Sequence, residues 1–265
     1  MKAPDRERYS TFGRPFKYSP DVVLTEIIVP NFPLDLDQRL NALCEEKGVS
    51  RVDFVHDLIL KEVQSKKLLS KYPLEKSSKT GKKNFRRIPN ADWVEFQIRS
   101  LYYNTMPVNL LLQTIQEAVL VFEGQGGMLR KYHQPIDIES FGPMNFSPKL
   151  PKPIYDALYA LASFMSEPAH TFINWLVNQM DEKTIKKLRP FGFPLGEYAE
   201  PRLDSVDRKT WIAFRSQCLR MGLPTHDLLA SYLLDTIIST IEKKSDDKLK
   251  KEIVSILKPY LPSKK

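Results

Sequence analysis

The sequence predicts a mainly α-helical protein with short β-strands, in which one strand–helix–helix unit occurs four times. The first copy shows the unit best. Residues 33–63, PLDLDQRLNALCEEKGVSRVDFVHDLILKEV, carry apolar side chains at helical spacing on both sides of a turn at 47–51, and the extended run TEIIVPNF precedes them. A unit of about forty residues is too small to enclose a core alone. Repetition of the unit, and of its apolar positions, supplies the missing partner surface.

The repeats align without gaps on an apolar residue that ends each strand, at Phe32, Ile88, Leu150 and Val206. Sixteen residues later comes a turn at Gly48, Asn104, Ser166 and Gly222. Equivalent apolar positions in the two helices are Leu40, Phe96, Leu158 and Phe214, then Phe54–Val55, Leu110–Leu111, Phe172–Ile173 and Leu228–Leu229, then Ile59, Ile115, Val177 and Leu233. The strand ends are 56, 62 and 56 residues apart, which predicts two similar halves of two copies each.

Charge is concentrated in one segment. The chain carries a net charge of +8, and residues 64–87 alone contain seven Lys and two Arg against one Glu. The remaining residues therefore sum to zero. A segment rich in Lys and Ser is typical of a flexible tether, and this one could lie along phosphates.

Several classes of protein are not indicated. No stretch is long and apolar enough for a membrane span, and the polar N-terminus lacks the apolar core of a secretory signal, so we expect a cytoplasmic protein. Cys44 and Cys218 are expected to be reduced core thiols. His56, His133, His170 and His226 have no metal or triad spacing, and we expect surface or capping roles for them. The sequence therefore predicts no enzyme, no cofactor, no metal and no small-molecule ligand.

The strand, helix, Gly-Val-Ser-Arg turn and helix of the first copy resemble the ribbon-helix-helix family, to which Arc- and MetJ-like repressors belong. This resemblance implies that two copies pair their strands into an antiparallel ribbon above four interlocked helices. The implied architecture is four ribbon-helix-helix units forming two intrachain pseudo-dimers. It also implies that double-stranded DNA is the partner, with the ribbon in the major groove.

The predicted domains follow from the repeats. A basic N-terminal arm (1–24) precedes the first pair (25–123), which contains copies 25–63 and 83–122 and the basic linker 64–82. A linker (124–143) leads to the second pair (144–242), which contains copies 144–181 and 200–241. A C-terminal helix and tail (243–265) follow.

Candidate base-reading residues follow from the alternation of side chains along a strand. If the strand-end residue points inward, the residues one and three positions before it point outward. The candidates are Asn31, Val29, Arg87, Phe85, Lys83, Lys149, Ser147, Asn145 and Ser205. Arg, Lys and Asn make the paired hydrogen bonds that distinguish guanine and adenine. Val29, Phe85 and also Leu203 are poorer readers, and simple solvent exposure is the alternative for every position.

The family resemblance also implies phosphate contacts at the start of each second helix, where free amides attract an anion. The candidates are Ser50, Arg51, Asn104, Thr105, Thr225 and His226, with Lys79, Lys82 and Arg86 beside the ribbon. Ordinary helix capping is the alternative for Ser50 and Thr225. Glu167 in the third copy would repel a phosphate.

The predicted function is sequence-selective DNA binding, as a transcriptional repressor or regulator of a bacterial mobile element, plasmid or phage. A relaxosome or partition accessory protein is an alternative, because it would use the same interface. An alternative of another class is a protein-interaction scaffold made of degenerate units, with further self-association possible. Proline at Pro30, Pro148 and Pro201 predicts short or irregular strands.

Overall fold

The computed structural model describes residues 18, 19, 21–193, 196–243 and 246–260. The predicted N-terminal arm lies outside them up to residue 17, as do parts of the C-terminal segment. The chain forms two compact units, Met1–Ile136 and Asp137–Lys265, so the boundary falls within the predicted linker 124–143. Both units are mainly helical and contain short antiparallel strand pairs.

The first unit contains two successive strand–helix–helix segments. Its elements are β1 (Leu24–Pro33), α1 (Leu34–Glu46), α2 (Arg51–Gln64), β2 (Thr80–Pro89), α3 (Asn90–Tyr102), α4 (Pro107–Phe122) and the short α5 (Gly126–Leu129). β1 and β2 pair antiparallel along their whole length, with Ile28 opposite Asn84 near the middle. The register shifts at two places, between Thr25 and Glu26 and between Val29 and Phe32, where one strand has an extra residue.

The second unit repeats the order with weaker strands. Its elements are β3 (Met144–Phe146), β4 (Leu150–Pro151), α6 (Lys152–Phe164), α7 (Ala169–Asn178), α8 (Glu182–Lys187), β5 (Tyr198–Ala199), β6 (Leu203–Val206), α9 (Arg208–Met221), α10 (Thr225–Lys243) and α11 (Asp247–Leu257). β3 pairs with β6 and β4 with β5. Pro148 and Pro201 lie between these two ladders, where each lacks the N–H that a continuous ladder requires.

Each unit has its own apolar core, and the periodic apolar positions lie in it. All four strand-end residues are buried, and so are the predicted helix positions except Phe54, which is half-buried against the core. The four predicted turns all have left-handed backbone, including Asn104 at φ 51° and Ser166 at φ 59°. The two glycine turns adopt the same conformation, which only glycine takes without steric cost.

The basic linker is not a free tether over residues 68–75. Its backbone N–H groups at Tyr72 and Glu75 donate to the side chains of Glu117 and Gln116 on α4, at 2.7 and 2.9 Å. Leu69 forms a bridge with Pro135. The prediction of a flexible segment is wrong there, because polar residues on α4 provide partners for the linker backbone.

Candidate nucleic-acid interface

The two bulges in the β1–β2 ribbon decide which side chains face outward. Each bulge inserts a residue immediately before the strand end, at Pro30–Asn31 and at Arg86–Arg87, so that two consecutive side chains are exposed and the alternation reverses. The prediction that Val29 and Phe85 face outward is therefore wrong. Both are buried, with Phe85 packing against Phe32 in the core.

Lys83 is also not on the outer face. It follows the inward parity of Phe85, and its Nζ lies 2.6 Å from Oδ1 of Asp37 in α1. Its side chain is largely covered, at 19% exposure. Its candidacy as a base reader is wrong, and it joins the ribbon to the first helix instead.

The outer face of the ribbon carries more positive than negative charge. The exposed side chains along it are Glu26, Ile28, Pro30 and Asn31 from β1 and Lys82, Asn84, Arg86 and Arg87 from β2. Three cations and one carboxylate leave it with two positive charges in excess. Lys79, just before β2, is exposed beside them. Among the described residues, neither Lys82 nor Arg87 forms an ion pair.

Arg86 is oriented by a carboxylate directly across the ribbon. Its Nε donates to Oε1 of Glu26 at 2.9 Å, and these two residues are opposite each other in the register. Hydrogen bonding to Arg86 lowers the pKa of Glu26, so the carboxylate is ionised at neutral pH. The Arg86 side chain remains 74% exposed, and its guanidinium is a planar fork of hydrogen-bond donors. That fork is the geometry that binds O6 and N7 of guanine.

Arg87 adopts left-handed backbone, with φ of 63°. The equivalent residue of the fourth copy, Ser205, has φ of 61°. This conformation is costly for a residue with a side chain, because Cβ approaches the following carbonyl. It places Arg87 next to Arg86 on the outer face of the ribbon.

The start of α2 is capped by Ser50 as predicted, and its first turn also carries a carboxylate. Ser50 accepts a hydrogen bond from the N–H of Asp53 at 3.1 Å, which confirms its capping role. The Asp53 carboxylate lies in the same first turn and would repel a phosphate. The Arg51 side chain contacts α1, where it donates a hydrogen bond to Asn41 at 2.7 Å and forms an ion pair with Asp37 at 3.4 Å.

The phosphate-contact candidates of α4 and α10 lie before or at the start of these helices. Met106 is the capping position of α4 and Pro107 its first residue, so Asn104 and Thr105 lie one or two positions too early. α10 begins at Thr225 itself, whose hydroxyl accepts from Arg215 of α9. His226 is half-buried and lies 3.5 Å from Asp227.

In the second unit the outward candidates are exposed, but their charges are neutralised. Asn145, Ser147, Lys149 and Ser205 are all exposed, whereas Leu203 is buried. Lys149 pairs with Glu200 at 3.5 Å, and Arg202 pairs with Asp204 at 3.0 Å. Asn145 accepts from the Ser205 N–H at 3.0 Å, so its amide already holds the neighbouring strand.

A buried charge network in the first unit was not predicted. The Glu62 carboxylate of α2 forms ion pairs with Lys71 of the linker at 2.7 Å and with Arg99 of α3 at 3.1 Å. It also accepts a hydrogen bond from the Tyr103 hydroxyl at 2.6 Å. Burial acts to raise the pKa of Glu62, but Lys71 and the other donors outweigh it and lower the pKa. Burial, followed by the bond to Glu62, raises the pKa of Tyr103. Lys71 also contacts Glu117 at 3.2 Å, so the network joins three helices to the linker.

Histidine placement differs in part from the prediction. His56 is buried rather than on the surface, and its Nε2 lies 2.7 Å from Asp92 on α3 while Tyr18 contacts Nδ1 at 2.9 Å. His133 lies 3.2 Å from Glu117, at the edge of the charge network. His170 is exposed, as expected.

The two cysteines are buried free thiols, as expected. Burial raises the pKa of Cys44, and raises that of Cys218 to about 11. Among the described residues, no group of three or more His, Cys, Asp and Glu side chains is placed to hold a metal ion. Within the same residues, no single helix is both long and apolar enough to cross a membrane; α3 and α4 pass that test only as a pair, bent by 93°.

Comparison with protein-family models, curated proteins and solved structures finds no match to this chain. The geometry of the β1–β2 ribbon therefore carries the functional argument.

Proposed function

We propose that this chain is a double-stranded DNA-binding protein, and that the β1–β2 ribbon of the first unit enters the major groove. The observation that carries the proposal is the outer face of that ribbon. Lys82, Asn84, Arg86 and Arg87 project from one strand, while the opposite face is sealed by apolar residues. The major groove of B-DNA admits a two-stranded ribbon, and Arg and Asn are the usual readers of its guanine and adenine edges.

We further propose that both units are ribbon-helix-helix pairs formed within one chain. The order of strand and two helices in each copy, and the antiparallel pairing of β1 with β2, support this assignment. Within DNA binding, we propose regulation of transcription, as a repressor encoded by a mobile element, plasmid or phage. Binding at a transfer origin or a partition site would use the same surface.

The test is binding of the full chain to a random duplex pool, followed by sequencing of retained fragments and measurement of affinity against salt. The variant Lys82→Ala/Arg86→Ala/Arg87→Ala should weaken binding and lower the slope of log affinity against log salt by about 0.9 for each lost phosphate contact. The matched control Lys47→Ala/Lys61→Ala/Lys131→Ala removes the same charge from exposed positions outside the strands and outside the basic segment 64–87. Equal effects of the two triple variants, or no binding by the native chain, would refute the proposal.

A second function, protein contact, is favoured for the second unit. Its ribbon is interrupted at Pro148 and Pro201. The two cations beside it, Lys149 and Arg202, are balanced by Glu200 and Asp204, whereas the β1–β2 ribbon keeps two positive charges in excess. We therefore expect Lys149→Ala/Arg202→Ala to leave DNA affinity unchanged within about twofold. A loss comparable to that of the first-unit triple variant would assign DNA contact to both units.

A further inference from the structure

The β1–β2 ribbon has a local two-fold symmetry in its backbone. A two-fold rotation exchanges the strands and relates each residue of β1 to the residue 56 positions later in β2. It converts the pair Phe32–Gly81 into the pair Ile88–Thr25, and both pairs occur in the register. The symmetry axis therefore passes through the pair Ile28–Asn84. The two bulges lie at symmetry-related positions, Pro30–Asn31 and Arg86–Arg87, but only Arg87 has left-handed backbone.

The side chains break this symmetry on both faces, since inward Ile27 corresponds to Lys83, and the break is most complete on the outer face. Val29 and Phe85 are equivalent inward residues, and both are apolar and buried. Outward positions differ in charge and shape, because Glu26 corresponds to Lys82, Pro30 to Arg86 and Asn31 to Arg87. One end of the ribbon thus presents Arg86, Arg87 and Glu26 together, and the other presents Lys82, Pro30 and Asn31.

These two ends have different recognition chemistry. Two guanidinium groups on consecutive residues can each make a paired hydrogen bond to guanine, and Glu26 holds one of them in place at 2.9 Å. The opposite end offers the Lys82 ammonium, which lacks a planar fork, and the Asn31 amide, which suits adenine. A homodimeric ribbon would present the same groups at both ends and would select an inverted repeat.

We propose that the first unit recognises a non-palindromic DNA site, in which guanines lie under the Arg86–Arg87 end of the ribbon and are not repeated under the Pro30–Asn31 end. This inference rests on the proposed DNA-binding function. It assigns the base preference of the site to one end of the ribbon. The pairing within one chain makes such asymmetry available, because the two strands need not share a sequence.

The experiment compares fragments selected from a random duplex pool by the full native chain and by three variants. Arg86→Ala/Arg87→Gly should lose the guanine preference, with a loss of affinity for the native site of roughly 30-fold or more, because two paired contacts are removed. Pro30→Arg/Asn31→Arg should gain guanines at the opposite end. Glu26→Lys/Ile28→Asn/Pro30→Arg/Asn31→Arg gives both strands the same outward side chains and should select an inverted repeat. Circular dichroism checks that the variants fold.

The outcomes separate this inference from the function on which it rests. Failure of the native chain to retain any duplex overturns the proposed function and the inference together, whereas retention without an enriched sequence overturns the inference alone. An inverted repeat selected by the native chain overturns the inference and leaves DNA binding intact. An asymmetric site whose guanines persist in Arg86→Ala/Arg87→Gly also overturns it. An asymmetric native site that becomes an inverted repeat in the quadruple variant supports it.

Discussion

Glu26 and Arg86 face each other across the β1–β2 ribbon and are joined by a hydrogen bond of 2.9 Å. The only carboxylate on the outer face therefore lies against a candidate guanine reader, among the residues that the structure describes. Such a carboxylate opposes phosphate binding by its charge. It also restricts the guanidinium to fewer orientations, which favours discrimination between bases.

Glu26→Gln is expected to separate affinity from specificity. Binding to random duplex should strengthen, because one negative charge is removed from the ribbon face. The ratio of specific to random affinity should fall several-fold, because Arg86 loses its anchor. Fluorescence anisotropy with both duplexes at one salt concentration measures the two effects. Glu45→Gln, an exposed carboxylate on α1, is the matched control, and a specificity ratio that falls equally in both variants would exclude an orienting role for Glu26.

Substitutions of Arg87 should separate its backbone from its side chain. Arg87→Ala and Arg87→Gly should both relax base preference, because both remove the guanidinium. Arg87→Gly should be more stable than Arg87→Ala by about 1 kcal/mol, because φ is 63° and glycine tolerates that conformation. Duplex selection and urea denaturation measure the two quantities. A base preference that is unchanged in both variants would show that Arg87 does not contact bases.

The helical framework was predictable because burial on a helix face repeats with a fixed period. Positions such as Leu40 and Ile59 are buried whatever the details of the strands. The outward faces of the strands were not predictable, since one inserted residue reverses the parity of all residues beyond it. Val29 and Phe85 were misplaced for that reason.

The helix starts and the charge network show a second limit of sequence reasoning. Whether a residue caps a helix depends on the exact residue at which the helix begins. α4 begins at Pro107, after Asn104 and Thr105. The network around Glu62 joins residues distant in the chain, and no local pattern marks them. Glu117, the one charged residue of α4, and Gln116 beside it were the available signal of a packed linker.

The charge network predicts that the first unit loses stability in acid. Because the folded pKa of Glu62 is below its ordinary value of 4.5, its contribution is present above that pH and is lost as the pH falls through the folded value. Glu62→Gln should lower the free energy of unfolding by about 3 kcal/mol at pH 7 and reduce its dependence on pH between 3 and 5. Urea unfolding followed by Trp93 fluorescence, with Trp175→Phe and Trp211→Phe, reports on this unit. Asp57→Asn, exposed on the same helix, is the control, and a pH dependence unaffected by Glu62→Gln would show that the network contributes little.

The left-handed turns between the helices predict stability changes of opposite sign. Ser166→Gly should stabilise the second unit by up to about 1 kcal/mol, because glycine relieves the cost of φ at 59°. Gly48→Ala should destabilise the first unit by about 1 kcal/mol or more, and the effect is confined to the backbone because no atom lies within 4 Å of the added Cβ. Gly127→Ala is the control, since Gly127 lies in α5 with similar open space and without positive φ. Thermal unfolding measures all three, and a destabilised Ser166→Gly would mean that the serine side chain contributes more to the turn than its backbone strain costs.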